Sequence, residues 1–416
     1  MNDIDAILDE KSLPKIPEEL DDFASLRIAI SICLSILLLV TGSVLIIAIN
    51  NWVNDEFIGP NTELTSRQTA YNSLVEFDKM SDYGLTGNGV TVCIVDSGID
   101  LSHDDLKSAN ILKWKDFVNQ NSTPYDDHGH GTSMAGLLVA DGGLTGNAKG
   151  VDLLIAKALS KSGQGEDDWV SAAIDWCTAE DADIISLSLG GAPGVLPAFI
   201  GGGNSGDAAT NAINQGVYVV AAAGNDGGDD DDGDVDSPGS EELVICVGGV
   251  QSDGQIWSGS SKGDNGINIF PPRLARNDPN KKPEIVAPAE RVPVLSIVDS
   301  GYAFASGTSA ATVYVTAAIS LLLENQPELK RDGVNGGSSS TIENVKQWMK
   351  ETVYSNHDSH HEYYGYGLLK VEQLILHSNS TSPSENVMKP LKEYFAPHTA
   401  KYHINNKRLL IAQDGD

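Results

Sequence analysis

Along residues 82–376 the chain alternates between two kinds of apolar pattern. Short runs that are hydrophobic almost without a break occupy 91–97, 153–159, 183–189, 217–224, 243–250 and 283–288. Such runs predict strands buried on both faces, as in a parallel sheet. Between them lie segments of helical period at 130–140, 166–180, 207–215, 309–324 and 341–350. Alternation of this kind predicts an α/β fold, with a doubly wound, mainly parallel sheet and helices on both of its faces. Ligands in these sheets sit beyond the carboxyl ends of the strands, so chemistry is expected there.

The N-terminal pattern is of another kind. Residues 28–49 run for 22 positions without a charge, and about 20 suffice to cross the hydrocarbon of a bilayer. A cleaved signal peptide is the rival reading, but no A-x-A-like site follows and the apolar stretch is long for one. Lys11, Lys15 and Arg27 precede the segment, whereas Arg67 is the first basic residue after it. The positive-inside rule then leaves the N-terminus cytoplasmic and the remaining mass outside. The expected organisation is a tail over 1–27, an uncleaved anchor over 28–49, a polar linker with one short helix over 50–81, one α/β domain over 82–376 and a loose tail over 377–416.

Charge narrows the function. The formal net charge is −31 and the isoelectric point about 4.4, which excludes nucleic-acid binding because that requires basic surface. Of the four cysteines, Cys33 lies in the anchor, and Cys93, Cys177 and Cys246 in the domain. An odd number cannot all pair within the domain, so buried free thiols are expected.

Three polar stretches interrupt the apolar pattern where chemistry is expected. Val95-Asp96-Ser97-Gly98 ends the first strand, while His128-Gly129-His130-Gly131-Thr132 and Ser306-Gly307-Thr308-Ser309-Ala310 each lead into a helix. Acyl transfer by a hydroxyl needs a base to take its proton, a carboxylate to orient that base, and donors for the developing oxyanion. A strand end and two helix starts can bring Asp96, His130 and Ser309 to one rim, with Gly131 and Gly307 allowing close backbone approach. Asp100 and His128 compete with Asp96 and His130, His103 reads as structural, and Ser309 alone would pass for a helix cap.

At these residues the chain resembles the subtilisin-like serine proteases, whose order along the sequence is Asp, His, Ser. The likeness spans roughly residues 75–375 and includes TGNGVTVCIVDSGID, HGHGTSMAG, ISLSLGG, AAAGND, KPEIVAP, SGTSAAT and YGYGLLKVEQL. It implies a serine endopeptidase in which Asp96 orients His130, His130 is general base and then acid, Ser309 is the nucleophile, and Asn225 donates to the oxyanion. It further implies that a peptide substrate adds as a strand along Ser188-Leu189-Gly190 and the glycine-bearing segment with Gly163 and Gly165. No cofactor is required by this chemistry.

The pattern also departs from the family. Ala310–Ala317 lacks the proline that usually follows the nucleophile, the one feature favouring an alternative in which a catalytically impaired fold acts as a surface binding module. The loop 141–146 is shorter than in members that hold calcium there. The acidic run 229–236 offers Asp230, Asp232, Asp234 and Asp236 as possible Ca²⁺ ligands, lies near the family's first specificity pocket where it would favour basic side chains, or is simply a solvated loop. The stretch between anchor and domain is short for a folding propeptide.

Overall fold

The computed structural model describes residues 23–57, 59–190, 205–228, 231, 233–269 and 272–381. It divides into two units, one ending at Gly59 and the other starting at Pro60.

The first unit is a single helix, α1 (Ala24–Phe57). Its Ser25–Ile49 stretch is 25 residues long with mean hydropathy 2.9, long and apolar enough to cross a membrane by length and composition. A signal sequence meets the same criteria.

The second unit begins with α2 (Thr62–Leu74). The apolar runs then become strands: β1 (Thr91–Asp96), β2 (Asn110–Asp116) and, after helix α3 (His130–Val139), β3 (Asp152–Lys157). There follow α4 (Asp167–Ala179), β4 (Ile184–Leu187), α5 (Ser205–Asn214), β5 (Tyr218–Ala222), β6 (Ile245–Val250), β7 (Asn268–Ile269) and β8 (Pro272–Arg273). The remainder comprises β9 (Ile285–Pro288), β10 (Val292–Leu295), β11 (Tyr302–Ala305), α6 (Thr308–Asn325), α7 (Ser339–Thr352) and α8 (Val371–Thr381). Seven strands form one sheet in the order β2-β3-β1-β4-β5-β6-β9, and every pairing in it is parallel.

Side chains alternate across a strand, and β1 shows what each face meets. Cys93 is disulfide-bonded to Cys177 of α4, whereas Asp96, of opposite parity, bonds His130 of α3. Helices α3 and α6 pack together on that second face, and α4 packs with α5 on the first. Helix α6 is buried from Thr308 through Leu323, which its sequence foretells by having no polar face beyond small hydroxyls. Those hydroxyls are satisfied locally: Thr312 and Ser320 donate to the carbonyls of Thr308 and Thr316, four residues back. The segment 310–317 thus forms an unbroken buried helix without the proline, and the feature that favoured an impaired fold becomes ordinary packing.

Three expectations change. Cys93 and Cys177 are paired, not free; both are fully buried where strand interior meets helix end, with Cα atoms 5.8 Å apart. Cys246 is a free, buried thiol and Cys33 a free, exposed one. The compact unit starts at Pro60, well before Asp82, because α2 buries Leu64 and Tyr71. Gln68 exchanges two hydrogen bonds with Thr145, and Arg291 pairs with Glu63. At the far end α8 continues to Thr381, past the expected boundary at 376.

Candidate active site

Winding of the sheet reverses around β1, which has β3 on one side and β4 on the other. Its last residue, Asp96, is 1% exposed. The carboxylate faces His130, the first residue of α3, whose Nδ1 lies 2.8 Å from Asp96 Oδ1 and 2.9 Å from Oδ2. That arrangement fixes the ring and its tautomer, with the proton on Nδ1 and Nε2 left as the basic atom. Burial opposes charge on His130, but the Asp96 carboxylate, its hydrogen bond and the nearby Asp126 outweigh it and hold the imidazole above its ordinary range. The side chain is 27% exposed, so one edge of the ring remains accessible.

What positions α3 is a residue that the sequence did not single out. The carboxylate of Asp126 accepts from Ser97 Oγ (2.9 Å), His128 N (3.1 Å) and Gly129 N (2.7 Å) through one oxygen. Through the other it accepts from Thr132 N (2.9 Å) and Thr132 Oγ1 (2.7 Å). It thereby satisfies amides of the first turn of α3 that have no partner within the helix. Burial alone would push its acidity down, yet these hydrogen bonds hold the Asp126 carboxyl below the usual carboxylate range. Ser97 relays the same link, since its hydroxyl also accepts from Gly131 N at 2.9 Å. Close approach of helix and strand end requires Gly131: a Cβ there would fall 2.2 Å from the carbonyl oxygen of Gly98. Behind the turn, the buried Lys157 donates to the carbonyls of Ser97 and Leu159 and to Asp127.

Ser309 is the second residue of α6 and is 8% exposed. Gly307 occupies the cap position, so Ser309 does not cap its helix. Its hydroxyl instead donates to the carbonyl of Ser188 (2.9 Å), and Ser188 Oγ donates back to the carbonyl of Ser309 (3.1 Å). Asn225 stands across from this turn. Its Oδ1 accepts from Thr308 N (2.8 Å) and Thr308 Oγ1 (3.0 Å), which orients the amide. Gly307 has extended backbone, φ 163°, that any residue adopts, and a Cβ on it would meet no severe clash. That Cβ would lie 3.7 Å from Asn225 Nδ2 and 3.8 Å from Ser309 N. Gly307 is therefore not needed for backbone approach; its position lies beside the Asn225 side-chain amide (Oδ1 3.6 Å and Nδ2 3.7 Å from that Cβ) and the start of α6.

The competing residues fall elsewhere. Asp100 accepts from the amide and hydroxyl of Ser102. His103 is 1% exposed and bonded to Asp105 N and to the carbonyl of Gly301, a structural role. His128 is exposed and lies against Gly163, where a Cβ would come within 2.7 Å of its Nε2. Ser188, Leu189 and Gly190 continue from the end of β4, with Ser188 bonded to Ser309. Gly163 has φ +75°, as its turn demands, and Gly165 packs against the carbonyl of Ala158.

In the loop 141–146 the buried carboxylate of Asp105 is satisfied by Gly143 N, Leu144 N and Tyr302 OH. Of the four candidate calcium ligands, Asp230 and Asp232 lie outside the described residues. Asp234 grips the Arg276 guanidinium with both oxygens, at 2.8 and 3.0 Å, so its charge is already matched. Asp236 lies beside Gly190 and Gly224. No group of three His, Cys, Asp or Glu able to hold a metal occurs among the described residues.

An imidazole bonded to a carboxylate at the end of β1, and a serine at the start of α6 beside an asparagine that follows β5, are the groups that acyl transfer through serine uses. The class is that of the α/β serine hydrolases. The chain belongs to the subtilase family, whose model matches residues 87–367, and it is a subtilisin-like serine endopeptidase. It is 33% identical over 303 residues to subtilisin DY of Bacillus licheniformis, covering 72% of this chain and 95% of that protein. It is 31% identical over 320 residues to the serine protease AprX of Bacillus subtilis, covering 70% and 67%. Among solved structures, a cold-adapted subtilisin-like serine proteinase has a TM-score of 0.53 at 24% identity, covering 69% of this chain and 90% of the other. A variant of the protease domain of PatA has a TM-score of 0.57 at 21% identity, covering 72% and 99%. At those identities both likenesses speak for the fold.

Proposed function

We propose that this endopeptidase cleaves peptide bonds through an acyl-enzyme on Ser309. His130 Nε2 takes the serine proton and returns it to the leaving amine, while Asp96 holds the ring and balances the imidazolium. Asn225 Nδ2 and Ser309 N–H receive the oxyanion. The observation that carries this reading is the His130–Asp96 hydrogen bond, which leaves Nε2 as the basic atom, with the Asn225 side chain held against the first turn of α6 by Thr308. For attack, Ser309 turns about χ1 from Ser188 O toward His130, a change between staggered rotamers. An extended substrate pairs with Ser188–Gly190 on one side and with the segment of Gly163 and Gly165 on the other. No step calls for a metal or organic cofactor.

We also place the peptidase unit outside the cytoplasm, tethered by α1. The basic residues before the apolar stretch support that direction, and the Cys93–Cys177 disulfide suits an oxidising compartment.

The chemistry is tested with the full chain in detergent, comparing hydrolysis of a peptide substrate by wild type, Ser309→Ala and Asn225→Ala. Loss of the serine abolishes turnover, and loss of the asparagine lowers kcat by about 100- to 1000-fold with little change in KM. A Ser309→Ala protein that still turns over would defeat the reading. Topology is tested by protease treatment of intact cells, which digests the peptidase unit if the orientation is as proposed.

A further inference from the structure

We propose that Lys157 is a positioning residue for the Asp96–His130 pair. The inference rests on the roles given above to Asp96, His130 and Ser309, and adds a residue that acts through them without touching substrate. Lys157 ends β3 and is the register partner of Asp96, the last residue of β1. Side chains alternate across a strand, and register partners in a parallel ladder project to one face, so the lysine leaves the sheet on the side of Asp96. It is 0% exposed. Each of its three ammonium protons has an acceptor: Ser97 O at 2.6 Å, Asp127 Oδ1 at 2.6 Å and Leu159 O at 2.9 Å. Asp127, 30% exposed, balances the charge.

Ser97 follows Asp96, and Asp127 lies three residues before His130. The ammonium thus joins the strand end that carries the carboxylate to the loop that delivers the imidazole. Those two stretches already meet closely, since Gly98 bridges to Asp126 and Ile99 N donates to Tyr125 O. Asp126 fastens them through Ser97 Oγ and the first turn of α3. Lys157 fastens the next residue, Asp127, and the carbonyl of the same Ser97 to the end of β3. Two ties at different atoms of Ser97, its hydroxyl and its carbonyl, hold the turn against a rotation that either alone permits. The direction from which the Asp96 oxygens meet His130 Nδ1 is fixed in consequence.

Burying an ammonium is costly, and an unbranched apolar side chain would fill the same volume. Filling space therefore does not account for a lysine here, whereas the geometry it imposes on its three acceptors does. The segment with Gly163 and Gly165, which also starts at the end of β3, keeps its shape by other bonds. Ser160 N donates to Gln164 O and Gly163 N to Ser160 O, both at 2.8 Å, and the amides of Ala158 and Leu159 hold Asp96 O. Loss of the ammonium is accordingly felt in the chemical step and not in peptide binding.

The test uses the full chain in detergent. A fluorophosphonate, left to react to completion, counts active sites in wild type and variants, and kcat per site and KM are then measured on one peptide substrate. Lys157→Met keeps an unbranched stem and removes the three donors. Its kcat per site falls about 10- to 100-fold, the scale for displacing a reacting group by up to about 1 Å, while KM stays within about 3-fold of wild type. Asp127→Ala removes one acceptor and lowers kcat per site about 3- to 10-fold. Asp127→Asn, whose amide oxygen still accepts from the ammonium, recovers most of that loss. A merely structural lysine gives fewer labelled sites with unchanged kcat per site, and that result overturns the proposal. So does a loss confined to KM. If Lys157→Met does not fold, the Asp127 variants decide: Asp127→Ala equal to wild type, or no recovery in Asp127→Asn, overturns the proposal as well. A wild type that does not label defeats the assignment of Ser309 instead, a failure told apart because it needs no variant.

Discussion

Replacing Asp126 by Asn probes how His130 is held, because the change keeps the shape and removes the charge. The carboxylate accepts five hydrogen bonds, from Ser97, His128, Gly129 and twice from Thr132. An amide has one accepting oxygen, and its NH₂ must face either the Thr132 pair or the amides of His128 and Gly129. At least two of these five donors, at or just before the first turn of α3, then lose their partner. Bonds to a charged acceptor contribute about 1.5–3 kcal/mol each, and compensation by water at this half-buried position lowers the sum, so the expected loss of stability is about 2–4 kcal/mol. Two further signatures separate this from nonspecific damage. Asp126 helps to keep His130 above its ordinary range, so the acid limb of kcat/KM moves to lower pH. The Asp126 carboxyl is itself held low, so its stability contribution is complete above the unfolded aspartate value, about pH 4, and is lost as pH falls through the folded value. The variant therefore loses less stability than wild type on acidification through that range. Urea unfolding at several pH values and a pH–rate profile measure both effects. A loss below about 0.5 kcal/mol with an unmoved acid limb would refute the role assigned to Asp126.

Other expectations follow from the same geometry. In wild type the acid limb of kcat/KM lies above pH 6.5, the ordinary histidine value, with activity rising as His130 loses its proton; a limb at or below that value would count against the Asp96 contact. Gly131→Ala forces a Cβ to within 2.2 Å of Gly98 O, which is backbone and cannot step aside. That variant is expected to lose about 1–3 kcal/mol or more together with most activity, read by thermal unfolding and probe labelling. Under denaturing conditions a thiol reagent should count two cysteines, Cys33 and Cys246, and four after reduction; opening the Cys93–Cys177 bond should lower stability by about 2–5 kcal/mol.

The site was legible where its residues sit in short, self-contained patterns. Asp96 ends an apolar run and His130 starts a helix, so their bond could be expected from the sequence, and the same reading put Ser309 at the start of α6, where it lies. Asp126 escaped because its role lies in what it accepts from five atoms spread over residues 97–132, and an Asp four residues before a histidine looks like loop. Its position ahead of a helix start was the available signal, as a carboxylate there satisfies first-turn amides. Strand β2 was missed because an edge strand need not be apolar, and most of its side chains are exposed or half-buried. Helix α2, the short helix expected in the linker, shows only Leu64 and Tyr71 to the core, seven residues apart, too sparse a stripe to reveal from sequence that it packs as part of the domain. The disulfide joins residues 84 apart in sequence, so counting cysteines could limit the pairings but not choose one.

The central claim is that Ser309 is the nucleophile and that His130 activates it. Labelling the folded full chain with a fluorophosphonate and mapping the modified residue by mass spectrometry tests this most directly, with His130→Ala as the comparison. The account predicts one modified serine, Ser309, with labelling slowed at least about 100-fold when the base is removed. Modification at another serine, or labelling of Ser309 that is indifferent to His130, would contradict it.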